Sequence, residues 1–248
     1  MQSLARGLRV LEAFRELGPD QSIASLSSHT GLPRGVVSRC LYTLSELGYV
    51  GRRERRYHVL PGVLHLADAF LSDRSLSALG QPVLETLRDE LGESCSLAIL
   101  DDAEILYIAR ASRSRIMSIG LHVGSRLPAW CTSMGRVLLA SLPPGEREAR
   151  LLEDPLPRLT ATTIADRAGL AGLLRSIERD GYAIVDQELE IGLRSIAVPV
   201  RDKAGCTVAA LNVGTNALER SLDDLAQIIL PALSNAAVTL GRQLAPSR

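Results

Sequence analysis

The chain has 248 residues, 46% of them hydrophobic and 23% charged. That length can bury a core without disulfides or metal, and the composition excludes a mainly disordered or collagen-like chain. The formal net charge of zero hides a split at Leu60: residues 1–60 carry nine arginines against five acidic residues, a net of +4, leaving −4 for the rest. A basic head on an acidic body implies that the head meets a polyanion and the body does not.

In SLARGLRVLEAFREL the apolar positions Leu4, Leu8, Leu11 and Phe14 or Leu17 recur every three or four residues, and Gly18-Pro19 ends the run. This predicts a first helix. Arg6, Glu12 and Arg15 break any signal-peptide core, and no stretch approaches roughly 20 uninterrupted apolar residues, so the expected location is cytoplasmic. Ser22 is a candidate N-cap for a short second helix, IASLSSHT, which Gly31 can stop in the left-handed conformation. Pro33 then suits the first turn of RGVVSRCLYTLSEL, whose Val37, Cys40, Leu41, Leu44 and Leu47 form one stripe. The pair forms a helix-turn-helix. Opposite the stripe lie Gly35, Ser38, Arg39, Tyr42 and Glu46, with Arg34 at the N-terminal edge.

YVGRRERRYHVL follows, with β-prone runs at Tyr49 to Gly51 and Tyr57 to Leu60 around a tip of Arg52, Arg53, Arg55 and Arg56. A hairpin after a recognition helix is a wing. Residues 61 to 91 read as helical, with a soft break near Gly80 to Pro82, and a linker helix over 63–80 is the simplest reading. Beyond Gly92 come β-runs CSLAILD, EILYIAR, IMSIGLHV, YAIVDQELE, SIAVPVR and TVAALNVG, with helices expected near Thr132 to Ser141, Glu146 to Leu152 and Asp166 to Arg179. A final amphipathic helix is expected to kink at Pro231. The expected class is α+β, a mostly antiparallel sheet flanked by helices, with domains at 1–62 and 81–248 around the linker.

Three stretches carry chemistry. In the head, Arg39 can fork to guanine, Ser38 and Tyr42 can reach base edges or phosphates, and the wing arginines offer sequence-independent phosphate contacts. The plain alternative is a solvated helical bundle, against which the clustering of arginine on one helix and one hairpin tip weighs. In GLHVGSRLPAWCTSMGRVLLASLPP, a tight loop leads to a helix whose first turn, capped by Thr132 or Ser133, forms an anion site; the alternative is a structural corner without ligand. In DQELEIGLRSIAVPVR and TVAALNVG, Ser195 and Asn212 are polar residues on apolar strands, as expected of a cavity lining or of hydrogen-bonded core positions. The four cysteines, Cys40, Cys95, Cys131 and Cys206, show no metal-ligand spacing with the four scattered histidines, so reduced thiols, no metal and no cofactor are expected. Cys131 with His122 as nucleophile and base lacks an orienting acid.

The stretches SLARGLRVLEAF, the helix-turn-helix from Ile23 to about Tyr42, GSRLPAWCTSMGRVLLA, GYAIVDQELEIGLRSIAVPVRD and AALNVG together resemble the IclR family of bacterial transcriptional regulators over essentially the whole length. CTSMGRVLLA and DQELEIGLRSIAVPVR are most similar to the branch controlling the β-ketoadipate pathway of aromatic catabolism. The resemblance implies a winged helix-turn-helix, a linker helix, a GAF-like effector domain, and assembly as dimers or tetramers on double-stranded operator DNA. By position it implies effector contacts at Leu127, Trp130, Cys131, Thr132, Ser133, Met134, Gly135, Gln187, Glu188, Ser195 and Asn212, and a small carboxylate effector, an aromatic acid or ring-cleavage product. The chain departs from the family at Trp130, whose bulk keeps effector size from being carried over. The rival reading is a small-molecule enzyme on the α+β domain with a nucleic-acid-targeting head, which turnover lost on Cys131→Ser would favour.

Overall fold

The structure, a computed structural model, describes residues 2–66, 76–113, 120–151 and 155–245. Contacts divide the chain into two units, Met1–Ser72 and Asp73–Arg248.

In the first unit helix α1 spans Gln2–Leu17, α2 Ile23–Thr30 and α3 Arg34–Glu46. The Ser22 hydroxyl accepts from the Ser25 amide while Ser25 reaches back to the Ser22 amide, closing the start of α2; Gly31, at φ 67°, ends it. Val10, Phe14, Leu26, Val37, Leu41 and Leu44 bury the shared faces. Leu47 lies beyond the end of α3 and is exposed, so the stripe stops one turn earlier than the spacing predicts. The wing strands are β2, Val50–Arg53, and β3, Arg56–Val59, with only Glu54 and Arg55 between them. They are longer toward the tip than expected, because Arg53 pairs with Arg56. A two-residue strand β1, Asp20–Gln21, pairs with β3 and makes the sheet three-stranded.

In the second unit a six-stranded, wholly antiparallel sheet has the order β6-β5-β4-β9-β8-β7. The strands are β4 Ser94–Asp101, β5 Glu104–Ala111, β6 Arg126–Pro128, β7 Ala183–Asp186, β8 Leu193–Arg201 and β9 Thr207–Asn216. Two cores lie on its two faces. On one pack α4, Leu76–Leu91, and the C-terminal helix α8, Leu222–Gln243, through Leu84, Leu87, Leu225, Ile229, Leu233 and Leu240. On the other pack α5, Ser133–Ala140, and α7, Arg167–Asp180, through Met134, Val137, Leu170 and Leu174. A shorter helix α6 spans Pro144–Arg150.

Several expectations are corrected. No break occurs near Gly80: α4 runs continuously through Pro82, and residues 76–80 are its first turns, packed on the sheet. Of the expected linker helix, residues 67–75 lie outside those described. The run IMSIGLHV is no strand over residues 120–123, and residues 116–119 lie outside those described; the edge strand is Arg126–Pro128 instead. At Pro231 the irregularity takes the form of a π turn over Leu225–Ile229 immediately before the proline, which supplies no amide for the regular helical bond. By length and mean hydropathy, 1.2, α8 could span a membrane, yet its Leu225, Leu233 and Leu240 stripe is buried against the sheet.

Candidate functional site

In the first unit, burial of Val37, Leu41 and Leu44 turns the opposite face of α3 to solvent. Arg34, Gly35, Ser38, Arg39 and Tyr42 are all exposed there, Tyr42 at 68%. Arg52, Arg53, Arg55 and Arg56 are exposed on the wing, but they are not equivalent. Arg52 donates from Nε to the Glu54 carbonyl at 2.9 Å and stacks 5.8 Å from the Tyr57 ring centroid. Arg56 donates to the Asp20 carbonyl at 3.1 Å, so β1 braces the wing. Arg53 and Arg55 side chains make no such contacts among the described residues and are exposed.

In the second unit a cavity of about 400 Å³ opens between the sheet and the start of α5, within the range that holds small ligands. Leu127, Cys131, Thr132, Ser133, Met134, Ser195 and Asn212, all expected as effector contacts, line it. The loop before α5 is drawn in by Gly135, where any Cβ would overlap the backbone of Ala129. Thr132 caps α5, accepting from the Gly135 amide at 3.2 Å, and Ser195 donates to the Ser133 hydroxyl at 2.9 Å, tying β8 to the helix start.

Four expected residues stand behind the wall rather than in it. Gly135 serves the close approach just described. Trp130 is 7% exposed within the core beside α5 and α7, away from the lining; only its neighbour Cys131 reaches the cavity. Gln187, at φ 59°, accepts from the Gly192 amide at 3.0 Å and shapes the turn after β7. Glu188 is engaged by buried Arg136, whose Nη1 and Nη2 donate to its two carboxylate oxygens at 2.6 Å each, while Arg136 Nε donates to the Trp130 carbonyl at 2.9 Å. Thr160 and Thr163 hydroxyls donate to the Gln187 and Glu188 carbonyls, and the Ile164 amide to the Glu188 carboxylate. This network fixes the loop that carries Leu189, Glu190, Ile191 and Gly192 along the cavity.

The sequence reading missed the floor. Ser96, Tyr107 and Arg110 line the cavity from β4 and β5. Arg110 donates from Nη1 to Ser96 at 3.1 Å and from Nε to Ser112 at 2.9 Å, and among the described residues no carboxylate pairs with it. Burial pushes its pKa below the ordinary arginine value, and the neighbouring Tyr107 and Cys95 only partly oppose that. A β-bulge explains why it was missed. Ile108 has no register partner on β4, so Tyr107 and Arg110, three residues apart, share one face of the sheet, where simple alternation separates them.

Burial pushes the Cys131 thiol up to about 12, which disfavours the thiolate that a nucleophile needs at neutral pH. His122 instead hydrogen-bonds Ser125 at 3.0 Å in an exposed turn. Among the described residues no group of three or more His, Cys, Asp or Glu side chains is placed to hold a metal ion.

Comparison with known proteins aligns both units. Residues 3–54 match the family described as IclR helix-turn-helix domain and residues 68–242 the family described as Bacterial transcriptional regulator IclR C-terminal. The chain is 44% identical to the Pca regulon regulatory protein of Pseudomonas putida over 98% of this chain and 84% of that protein. It is 34% identical to the p-hydroxybenzoate hydroxylase transcriptional activator of Acinetobacter baylyi over 94% of this chain and 88% of that one. Among solved structures, an IclR homolog from Microbacterium hydrocarbonoxydans complexed with 4-hydroxybenzoate superposes with a TM-score of 0.86 at 28% identity, covering 98% of each chain.

Proposed function

The chain belongs to the IclR family of bacterial transcriptional regulators, and from that premise we propose that it governs genes of aromatic-acid catabolism in response to an aromatic carboxylate held in the cavity of the second unit. The first unit binds DNA through its helix-turn-helix. In this reading α3 enters the major groove, with Arg39 on guanine, Ser38 and Tyr42 on base edges or phosphates, and Arg34 and the Gly35 backbone against the phosphates at the helix start. Arg53 and Arg55 hold the flanking backbone, with Arg52 and Arg56 setting the angle of the wing.

The observation that carries the effector half is Arg110: a half-buried cation on the floor of a small cavity, without an acidic partner among the described residues. An aromatic carboxylate supplies the missing charge, and Leu127, Met134 and Leu189 supply apolar walls for its ring. The names of the relatives, a Pca regulon regulator and a p-hydroxybenzoate hydroxylase activator, and the 4-hydroxybenzoate in the Microbacterium structure support the same ligand class. The protein acts in the cytoplasm as a homodimer or homotetramer, the order of assembly that a palindromic or repeated site calls for. Leu64 and Leu66, 66% and 55% exposed after the wing, offer apolar surface for that association.

Titration with 4-hydroxybenzoate, protocatechuate, catechol, cis,cis-muconate and β-ketoadipate, read by thermal shift and by emission of the single tryptophan, tests the effector assignment. Because Trp130 stands behind the wall, its emission responds through Cys131 and Met134 rather than by contact. One carboxylate should raise the melting temperature, and Arg110→Gln should abolish the shift. A panel that leaves the melting temperature unchanged refutes the effector class.

A further inference from the structure

The outer face of α8 carries no charge along its middle. Its inner side is the Leu225, Leu233 and Leu240 stripe buried on the sheet. On the opposite side Ile228 and Val238 are 51% and 54% exposed, with Pro231 and Asn235 exposed between them. From Leu225 to Gly241 the sequence holds no Asp, Glu, Lys or Arg, in a chain that is 23% charged. A helix that meets water along one side ordinarily places charged residues there, and exposed apolar side chains in line on it mark an association surface. The two ends differ from the middle and from each other. Asp223 and Asp224 stand at the start. Arg242 stands at the end, where Arg201 and Lys203 join it around a groove of about 400 Å³ lined by Val198 and Pro199. The helix dipole favours acids at the start and cations at the end. It accounts neither for the uncharged middle nor for Arg201 and Lys203, which come from the end of β8 and the turn after it.

The face is also symmetric about Leu233. Ile228 and Val238 lie five positions to either side of it, Pro231 and Asn235 two, and Asp224 and Arg242 nine. We propose that a second copy of the chain packs on this face, with the two α8 helices antiparallel about a two-fold axis opposite Leu233. Ile228 of each copy then meets Val238 of the other. The acidic start of each helix meets the basic end of the other, so that Leu222, 45% exposed, and Asp223 reach the groove beside Arg242. Such an interface is isologous, and every contact in it occurs twice. Ala232 and Ala236, small and partly buried beside Pro231 and Asn235, leave room for the close approach of two helices. The inference rests on the homo-oligomeric reading and gives it a surface separate from Leu64 and Leu66.

Light scattering of the full chain over a range of concentrations at low salt tests this. Val238→Glu sets a carboxylate against Ile228 of the other copy and should halve the particle mass where the wild type is assembled, with the far-ultraviolet circular dichroism unchanged. Asp223→Lys and Arg242→Glu, both at exposed positions, should each weaken the association about tenfold or more, because the two-fold axis repeats each like-charge meeting. The chain carrying both changes should associate more tightly than either single variant, a rescue that a loss of helix stability would not produce. A double variant no better than the weaker single overturns the antiparallel arrangement. Unchanged mass in Val238→Glu and in both charge variants, beside a wild type that self-associates, overturns the proposal, leaves the homo-oligomeric reading standing and assigns the face to a different partner. A monomeric wild type overturns both.

Discussion

Arg136 grips Glu188 through two parallel hydrogen bonds in a setting where neither side chain meets much water. Removing one partner strands a buried charge, so Glu188→Ala should cost about 3–5 kcal/mol in urea denaturation, and Arg136→Met with Glu188→Leu should recover most of it. A loss below about 1 kcal/mol for the single variant, typical of an exposed pair, would show that the charges are solvated. A second residue-scale expectation concerns alkali. Burial pushes the Cys95 and Cys131 thiols from 9.0 up to about 12 and the Tyr107 hydroxyl from 10.0 to about 12. Their raised values in the folded state mean that unfolding releases protons above the ordinary values, so stability should be full below about pH 9 and fall progressively from there toward 12. Denaturation midpoints that stay flat over that window would contradict the burial. Glu188 shows what a sequence can and cannot disclose about single residues. Its place beside the site is legible from DQELEIG, but its role as a brace depends on Arg136, 52 positions away, and only the fold brings the two together.

At the scale of elements, the proposed DNA reading gives α3 and the wing different work. Arg39→Ala should cost about 1–3 kcal/mol at a cognate operator and little on unrelated DNA, whereas Arg55→Ala should weaken every sequence alike and reduce the salt slope by about one. Anisotropy titrations at several salt concentrations separate the two, and equal losses on all sequences for both variants would remove Arg39 from base reading. Both elements were legible because their signals are local: the Val37, Leu41, Leu44 stripe, the Ser22 cap and the arginine-rich tip all lie within a turn or a hairpin. Strand β1 was not, since two residues carry no periodicity and their pairing with β3 is set across 36 positions. The cavity floor escaped for a related reason. The bulge at Ile108 shifts the face on which Arg110 emerges, and nothing in EILYIARA marks it. Gly135 is held small by the Ala129 backbone, which a Cβ there would overlap. Gly135→Ala should push the pocket loop away from α5 and lower the melting temperature, and an unchanged melting curve would mean that the loop yields freely.

The whole molecule joins a DNA-reading unit and a ligand-holding unit in one chain, and its charge follows that division, +4 in residues 1–60 and −4 in the remainder. A single unit with one recognition helix touches few bases, and the proposed assembly adds a second copy. Light scattering at micromolar concentration should give a species heavier than the 26.7 kDa chain, and a monomer would refute the proposed assembly. Regulation by an effector demands that the carboxylate bind the DNA-competent and DNA-released states unequally, because a ligand with equal affinity for both shifts nothing. The most direct measurement is therefore the affinity of the full chain for its own upstream DNA, by fluorescence anisotropy, with and without saturating 4-hydroxybenzoate or protocatechuate. The expected result is preference for that DNA over a scrambled duplex, a steep fall with salt, and a change in affinity of roughly fivefold or more on adding one acid, abolished by Arg110→Gln. Equal binding to both duplexes, with neither acid altering it, would contradict the assignment of this chain as an aromatic-acid-responsive regulator.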